Sequence, residues 1–148
     1  MATCAAEETV VIARPLSDVF AYLSNAENNQ EWRSVLEIRR VRGDGVGTEY
    51  RQRVRGPAGR PVAADIIITE LDPGHVIAFR TTTGPVRPEG RFELHPTDAG
   101  TEVHFRLEAA LHGLKRFMAP MVRRAMQNEV RNLTALKQRL ETPSQERD

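Results

Sequence analysis

The sequence predicts an α+β domain in which one long C-terminal helix lies on an antiparallel sheet. Two observations carry this. From Phe117 to Glu141, Met118, Val122, Met126, Leu133, Leu136 and Leu140 recur at steps of three and four, which places them on one face of an α-helix. Upstream, strand-like runs follow one another from Val35 to Leu111, separated by turns that carry glycine or proline. A helix with a single apolar stripe needs an apolar surface beneath it, and the sheet is the partner the chain supplies.

Each element can be justified in turn. Thr9 to Ala13 is a short β-branched run and predicts a strand. Pro15 then precedes Val19, Phe20 and Leu23 at helical spacing, and proline is tolerated at a helix start. Ser24 to Glu31 is polar and asparagine-rich, a turn or a second short helix leading to Trp32. Val35 to Arg42 predicts a strand, and Gly43 to Gly47 a hairpin turn. Thr48 to Arg55 alternates, with Tyr50, Gln52 and Val54 on one face and arginines on the other. Gly56 to Gly59 turns the chain into a run from Val62 to Leu71, and Asp72-Pro73-Gly74 turns it again. His75 to Thr82, Arg87 to His95 and Thr101 to Leu111 complete the strands. The last helix starts between Phe117 and Pro120, where an N–H is dispensable, and stops at Thr142-Pro143. Its 25 residues would span roughly 37 Å. Residues 1–7 and 143–148 are expected to be flexible ends around one domain, 8–142.

Composition narrows the function. A net charge of +1 gives no global argument for nucleic acid or an anionic membrane. No apolar run is long enough to span a bilayer, so no stable membrane insertion is expected. The start of the chain lacks a basic and apolar leader. Cys4 is the single cysteine, which rules out an internal disulfide and fits a cytoplasmic setting. Arginine outnumbers lysine 19 to 2, a hint of a GC-rich bacterial genome. Seven arginines between Arg39 and Arg60 read as a solvated face, with an anionic partner as the sharper alternative. His75, His95, His104 and His112 show no ligand pair, and Gly43 to Gly47 leads into a strand and not a helix N-terminus. No metal and no cofactor are expected.

One residue breaks the helical pattern. Glu129 falls between Val122, Met126, Leu133 and Leu136 on the apolar stripe. A carboxylate there must be paired, hydrogen-bonded or turned to a polar space. Asp65, inside Ala63-Ala64-Asp65-Ile66-Ile67, is a similar oddity. Glu129, Asp65 and Tyr50 are the interior candidates for acid–base chemistry; a salt bridge to one of the arginines is the structural alternative for Glu129.

Several pieces resemble a known family. They are Ala13-Arg14-Pro15 with Val19-Phe20, Trp32, Gly45-Val46-Gly47-Thr48, Glu70-Leu71-Asp72-Pro73-Gly74, Gly100-Thr101-Glu102-Val103, and Leu136-Lys137 with Leu140-Glu141. Together they resemble the SRPBCC superfamily, the START-like or birch-pollen-allergen-like helix-grip proteins, and within it the polyketide cyclase/dehydrase-type group. The resemblance implies a seven-stranded antiparallel sheet curled around the long helix, with two short helices after strand 1 and an apolar cavity between sheet and helix. Ligand contacts are then expected from Trp32, Tyr50, Gln52, Val54, Phe79, Phe92, Phe105, Met118, Val122, Met126 and Glu129. The residues alone leave open whether these side chains line a cavity or fill a solid core. The expected partner is a lipid or polyketide-like molecule, bound by a monomer or homodimer. A polyketide cyclase/aromatase-type enzyme is the alternative, and a protein-interaction module, which an exposed apolar patch would favour, is a third.

Overall fold

The computed structural model describes residues 2–56 and 59–142. Strand β1 (Ala2–Ile12) is followed by helix α1 (Leu16–Ser24) and a 3-10 segment (Ala26–Glu31). Strands β2 (Val35–Arg42), β3 (Glu49–Arg55), β4 (Pro61–Ala63), β5 (Ile66–Asp72), β6 (Val76–Thr81), β7 (Glu89–Thr97) and β8 (Gly100–Leu111) come next. A second 3-10 segment (Gly113–Met118) leads into helices α2 (Ala119–Val130) and α3 (Leu133–Glu141). The sheet runs β1-β8-β7-β6-β5-β3-β2, with β4 paired to β3 off this path, and every pairing is antiparallel. Helix α2 packs on β1 and β8, and α3 on β1. No helix among the described residues is long and apolar enough to cross a membrane.

Three boundaries differ from the sequence expectation. The first strand reaches back to Ala2, so 2–7 is paired structure where a frayed end is expected. Ala2 lies opposite Leu111 and the register continues to Ile12 opposite Thr101, so the whole length of β8 templates it. Cys4 and Ala6 face inward and are buried, an alternation too weak in hydrophobicity to announce a strand. The expected run from Val62 to Leu71 divides at Ala64-Asp65 into β4 and β5. There the Asp65 carboxylate accepts the backbone N–H of Gln52 at 2.9 Å, and the Asp65 N–H donates to Thr83 Oγ1 at 2.8 Å.

The third difference lies in the long helix. It starts and ends where expected, but a tight turn at Arg131-Asn132 interrupts it. The Asn132 N–H bonds Glu129 O at 3.1 Å and the Thr134 N–H bonds Arg131 O at 3.1 Å. These three-residue bonds are of 3-10 type, which brings side chains at i and i+3 into line. Val130, Leu133 and Leu136 are spaced by three and all buried, so the local tightening keeps the stripe on the sheet. The expected turn at Gly56 to Gly59 and the stop at Pro143 fall partly or wholly outside the described residues, as do 143–148.

Ties at the far end hold α3 in place. The Glu141 carboxylate accepts the Ala13 N–H at 2.8 Å and the Lys137 ammonium at 2.6 Å, and the Lys137 bond is the first cause that holds its carboxyl below the usual range. Glu31 accepts from Tyr22 at 2.5 Å and from Arg139 at 2.6 Å, joining α1, the first 3-10 segment and α3.

Leu133 and Leu136 are wholly buried at the turn between the two helices. Leu133→Ala is expected to lower stability by about 2–5 kcal/mol, the range for large-to-small changes in a packed core. Chemical denaturation checks this; an unmoved midpoint would mean that the helix does not grip the sheet.

Candidate functional site

Alternation along β6, β7 and β8 puts Phe79, Phe92 and Phe105 on the inner face. Phe92 and Phe105 are cross-strand partners, and their rings stack with centroids 4.3 Å apart. Trp32, delivered by the turn after the first 3-10 segment, meets both edge-on at 6.0 and 6.2 Å. Phe79 stands opposite Gly90, and a Cβ on Gly90 would come within 2.2 Å of the Phe79 ring. Glycine at 90 is therefore what lets the ring lie down on the neighbouring strand.

A cation sits in this aromatic nest. Arg33 follows Trp32, and its N–H bonds Asn29 O at 2.8 Å. Its side chain is only 7% exposed, and its Nε donates to Glu129 Oε1 at 2.6 Å. The guanidinium carbon lies 5.5 Å from the centroid of Phe79 and 5.4 Å from that of Phe105. Such cation–π contacts are worth about 2 kcal/mol when desolvated. Nη1 of Arg33 is buried and has no hydrogen-bond partner among the described residues, and the same holds for Trp32 Nε1 and Gln52 Oε1. On the helix side, the Asn132 amide reaches Glu129 Oε2 at 3.5 Å and Ser34 Oγ at 3.3 Å.

The other predicted residues divide by role. Val122 and Met126 are buried on the helix stripe, and Val54 and Met118 are half-buried against the core. Tyr50 is buried; desolvation pushes its hydroxyl upward, while a hydrogen bond from the Ala26 backbone acts the other way. Gln52 is held at its backbone by Asp65 and at its side-chain Nε2 by Ala64 O, at 2.9 Å each. Asp65 therefore shapes the β4–β5 junction. Two surface clefts, of about 360 and 370 Å³, lie away from the sheet–helix space: one lined by outer-face residues such as Glu70, Arg91 and Arg106, the other between Arg14, Tyr22 and Leu140. Two arginines of β2 and β3 pair outward in solvent, Arg42 with Glu49 and Arg53 with Glu37.

Sequence reasoning missed Arg33. It lies in a turn, where no periodicity assigns a face, and its burial depends on Glu129, 96 residues away. The signal that could have found it is its place beside the single tryptophan, a residue bound to seek the core.

The Lys115 ammonium holds Pro85 O at 2.9 Å, joining the second 3-10 segment to the β6–β7 loop. A Cβ on Gly84 of that loop would come within 2.5 Å of Ala63 O in β4. Half-buried Val54, Val86 and Met118 lie against the core from β3, this loop and the 3-10 segment.

An antiparallel sheet gripping a long C-terminal helix, with an aromatic interior holding few polar groups, defines a helix-grip protein of the START-like class. The family described as polyketide cyclase / dehydrase and lipid transport matches residues 3–141, and the chain belongs to it. No curated protein matches by sequence. Solved structures establish the same fold. A START superfamily protein from Mycobacterium smegmatis is 17% identical at a TM-score of 0.75, over 93% of this chain and 97% of that one. Zhui aromatase/cyclase from Streptomyces sp. R1128 is 21% identical at a TM-score of 0.71, over 93% and 90%. The di-domain ARO/CYC StfQ of the steffimycin biosynthetic pathway is 16% identical at a TM-score of 0.77, over 94% of this chain and 51% of that one.

Glu129 compensates a buried cation, so Glu129→Gln is expected to lower stability by about 3 kcal/mol, the cost of stranding one partner of a buried pair. Removing both charges, with Arg33→Met added, should recover most of that loss in a double-mutant cycle. A Glu129→Gln midpoint equal to wild type would show that the pair is not formed in solution.

Proposed function

We propose that this protein binds a hydrophobic small molecule between the sheet and the C-terminal helix, and that the ligand's polar end meets Arg33. The observation that carries this reading is the buried guanidinium: Nε neutralised by Glu129, Nη1 without a partner among the described residues, and the Phe79 and Phe105 rings within 5.5 Å. Burying a cation inside an apolar core is costly unless every donor is satisfied. An incoming carboxylate, phenolate or carbonyl oxygen supplies the missing acceptor, and the rings supply apolar contact for the rest of the molecule. The chain's family, whose description joins polyketide cyclisation to lipid transport, supports the same ligand class.

The test is thermal shift with palmitate, dodecanoate and 1-naphthoate beside their methyl esters. Saturation at a hundred times Kd should raise Tm by about 5–10 °C for a chain of this size, with the acids ahead of the esters. The Arg33→Met/Glu129→Gln double variant should lose the preference for acids, and Val54→Trp should weaken all of them by filling the interior. No shift across such a panel would support a solid core; equal shifts for acid and ester would remove Arg33 from the reading.

A second reading, an aromatase/cyclase-type enzyme, is supported by the family description and by the fold shared with Zhui and StfQ. Such chemistry needs a positioned acid or base. With Glu129 engaged by Arg33 and Asp65 by Gln52, the role would fall to Tyr50. In this reading Tyr50→Phe should lower turnover of a poly-β-ketone substrate by about 10²–10⁴-fold, the usual worth of general acid–base catalysis, with binding retained; unchanged turnover would exclude Tyr50 as the acid.

A further inference from the structure

Leu114, Phe117 and Met121 are 84, 73 and 52% exposed. Isolated exposed apolar side chains are ordinary, but three large ones within eight residues, at steps of three and four, make a ridge. The ridge runs along the second 3-10 segment and the first turn of α2. Its flanks are cationic: Lys115, Arg116, Arg123 and Arg124 lie in this stretch, and no acidic residue occurs between Glu108 and Glu129. Arg87 stands on the β6–β7 loop that Lys115 holds. The Arg116 guanidinium lies 5.7 Å from the Phe117 ring centroid, so charge and apolar surface are presented together.

We propose that this face docks on the surface of an anionic lipid bilayer, with Leu114, Phe117 and Met121 entering the headgroup–acyl boundary and the cations meeting the headgroups. An interfacial segment binds through just this pairing of apolar ridge and basic flanks. Each cation near an anionic surface adds roughly a fivefold gain in partition. The same charges argue against a second copy of the chain as occupant, because a two-fold interface here would set like charges against each other. The docking is peripheral, in keeping with the absence of a spanning helix among the described residues. It does not depend on what the interior binds, although the face borders the half-buried Val86 and Met118, where a ligand taken from the bilayer would enter.

Vesicle co-sedimentation tests this. Wild-type protein is expected to bind phosphatidylglycerol/phosphatidylcholine vesicles at least tenfold better than pure phosphatidylcholine vesicles, and less at 0.5 M than at 0.1 M salt. Leu114→Ser/Phe117→Ser and Arg116→Glu/Arg123→Glu should each lower that binding at least tenfold with Tm unchanged, because the altered side chains are exposed. Arg33→Met/Glu129→Gln should bind vesicles like wild type, which separates this face from the interior site. The proposal is overturned by failure to bind anionic vesicles, or by binding that ignores both surface variants. It is equally overturned by a wild-type dimer that Leu114→Ser/Phe117→Ser dissolves, or by a soluble acidic protein that occupies the face while vesicles do not.

Discussion

The ion pair between Arg33 and Glu129 joins the two halves of the molecule. Arg33 belongs to the turn that leads into β2, and Glu129 to the last turn of α2, so the 2.6 Å bond pins the C-terminal helix to the far side of the sheet from β1. Exposed ion pairs, such as those along β7 and β8, contribute little, because water screens them. This pair is different: the Arg33 side chain is 7% exposed and that of Glu129 18%, so without its partner the guanidinium would be stranded in a largely apolar setting. The Phe79 and Phe105 rings, the tight turn at Arg131-Asn132 and the Asn132 amide are all arranged around it.

The rest of the architecture positions that pair. Full-length pairing of β1 with β8 sets the chain's first strand against its last, and α2 and α3 lie along these two strands. The inner face from β3 to β8 carries Tyr50, Gln52, Phe79, Phe92 and Phe105, and Trp32 meets the last two edge-on. Rings therefore occupy much of the ground where the sequence allows either a cavity or a filled core. A ligand would share the interior with them, packing on ring faces and meeting the few polar atoms that lack a partner.

The proposed ligand site and the proposed membrane face would suit one carrier-like molecule. An apolar ligand has negligible solubility as a free species and is best exchanged where a bilayer or another apolar surface is at hand. The ridge lies beside the end of the grip where half-buried Val86 and Met118 meet solvent. Its cations would orient the protein with that end toward the membrane, a steering effect that short-range contacts alone do not supply.

Periodicity made the sheet, its turns and the long helix legible in the sequence, and it placed Glu129 on the buried stripe without any tertiary information. Hydrophobic spacing encodes which face of an element is inside, and that is a local property. The partner of Glu129 was not legible, because a turn residue has no periodic face and the contact closes over 96 residues. The structured start of β1 was also hidden: Ala2, Cys4 and Ala6 are small, and their burial comes from β8 and α2, not from their own hydrophobicity. Asp65 could be seen as an anomaly, but only the fold decided that its carboxylate caps the Gln52 N–H and divides a strand. What the sequence determined by itself is which side chains must leave water. Which of them meet, and so which charge is compensated and which buried polar atoms lack a partner, was decided by the tertiary structure, because those outcomes depend on distances between segments that the local pattern does not contain.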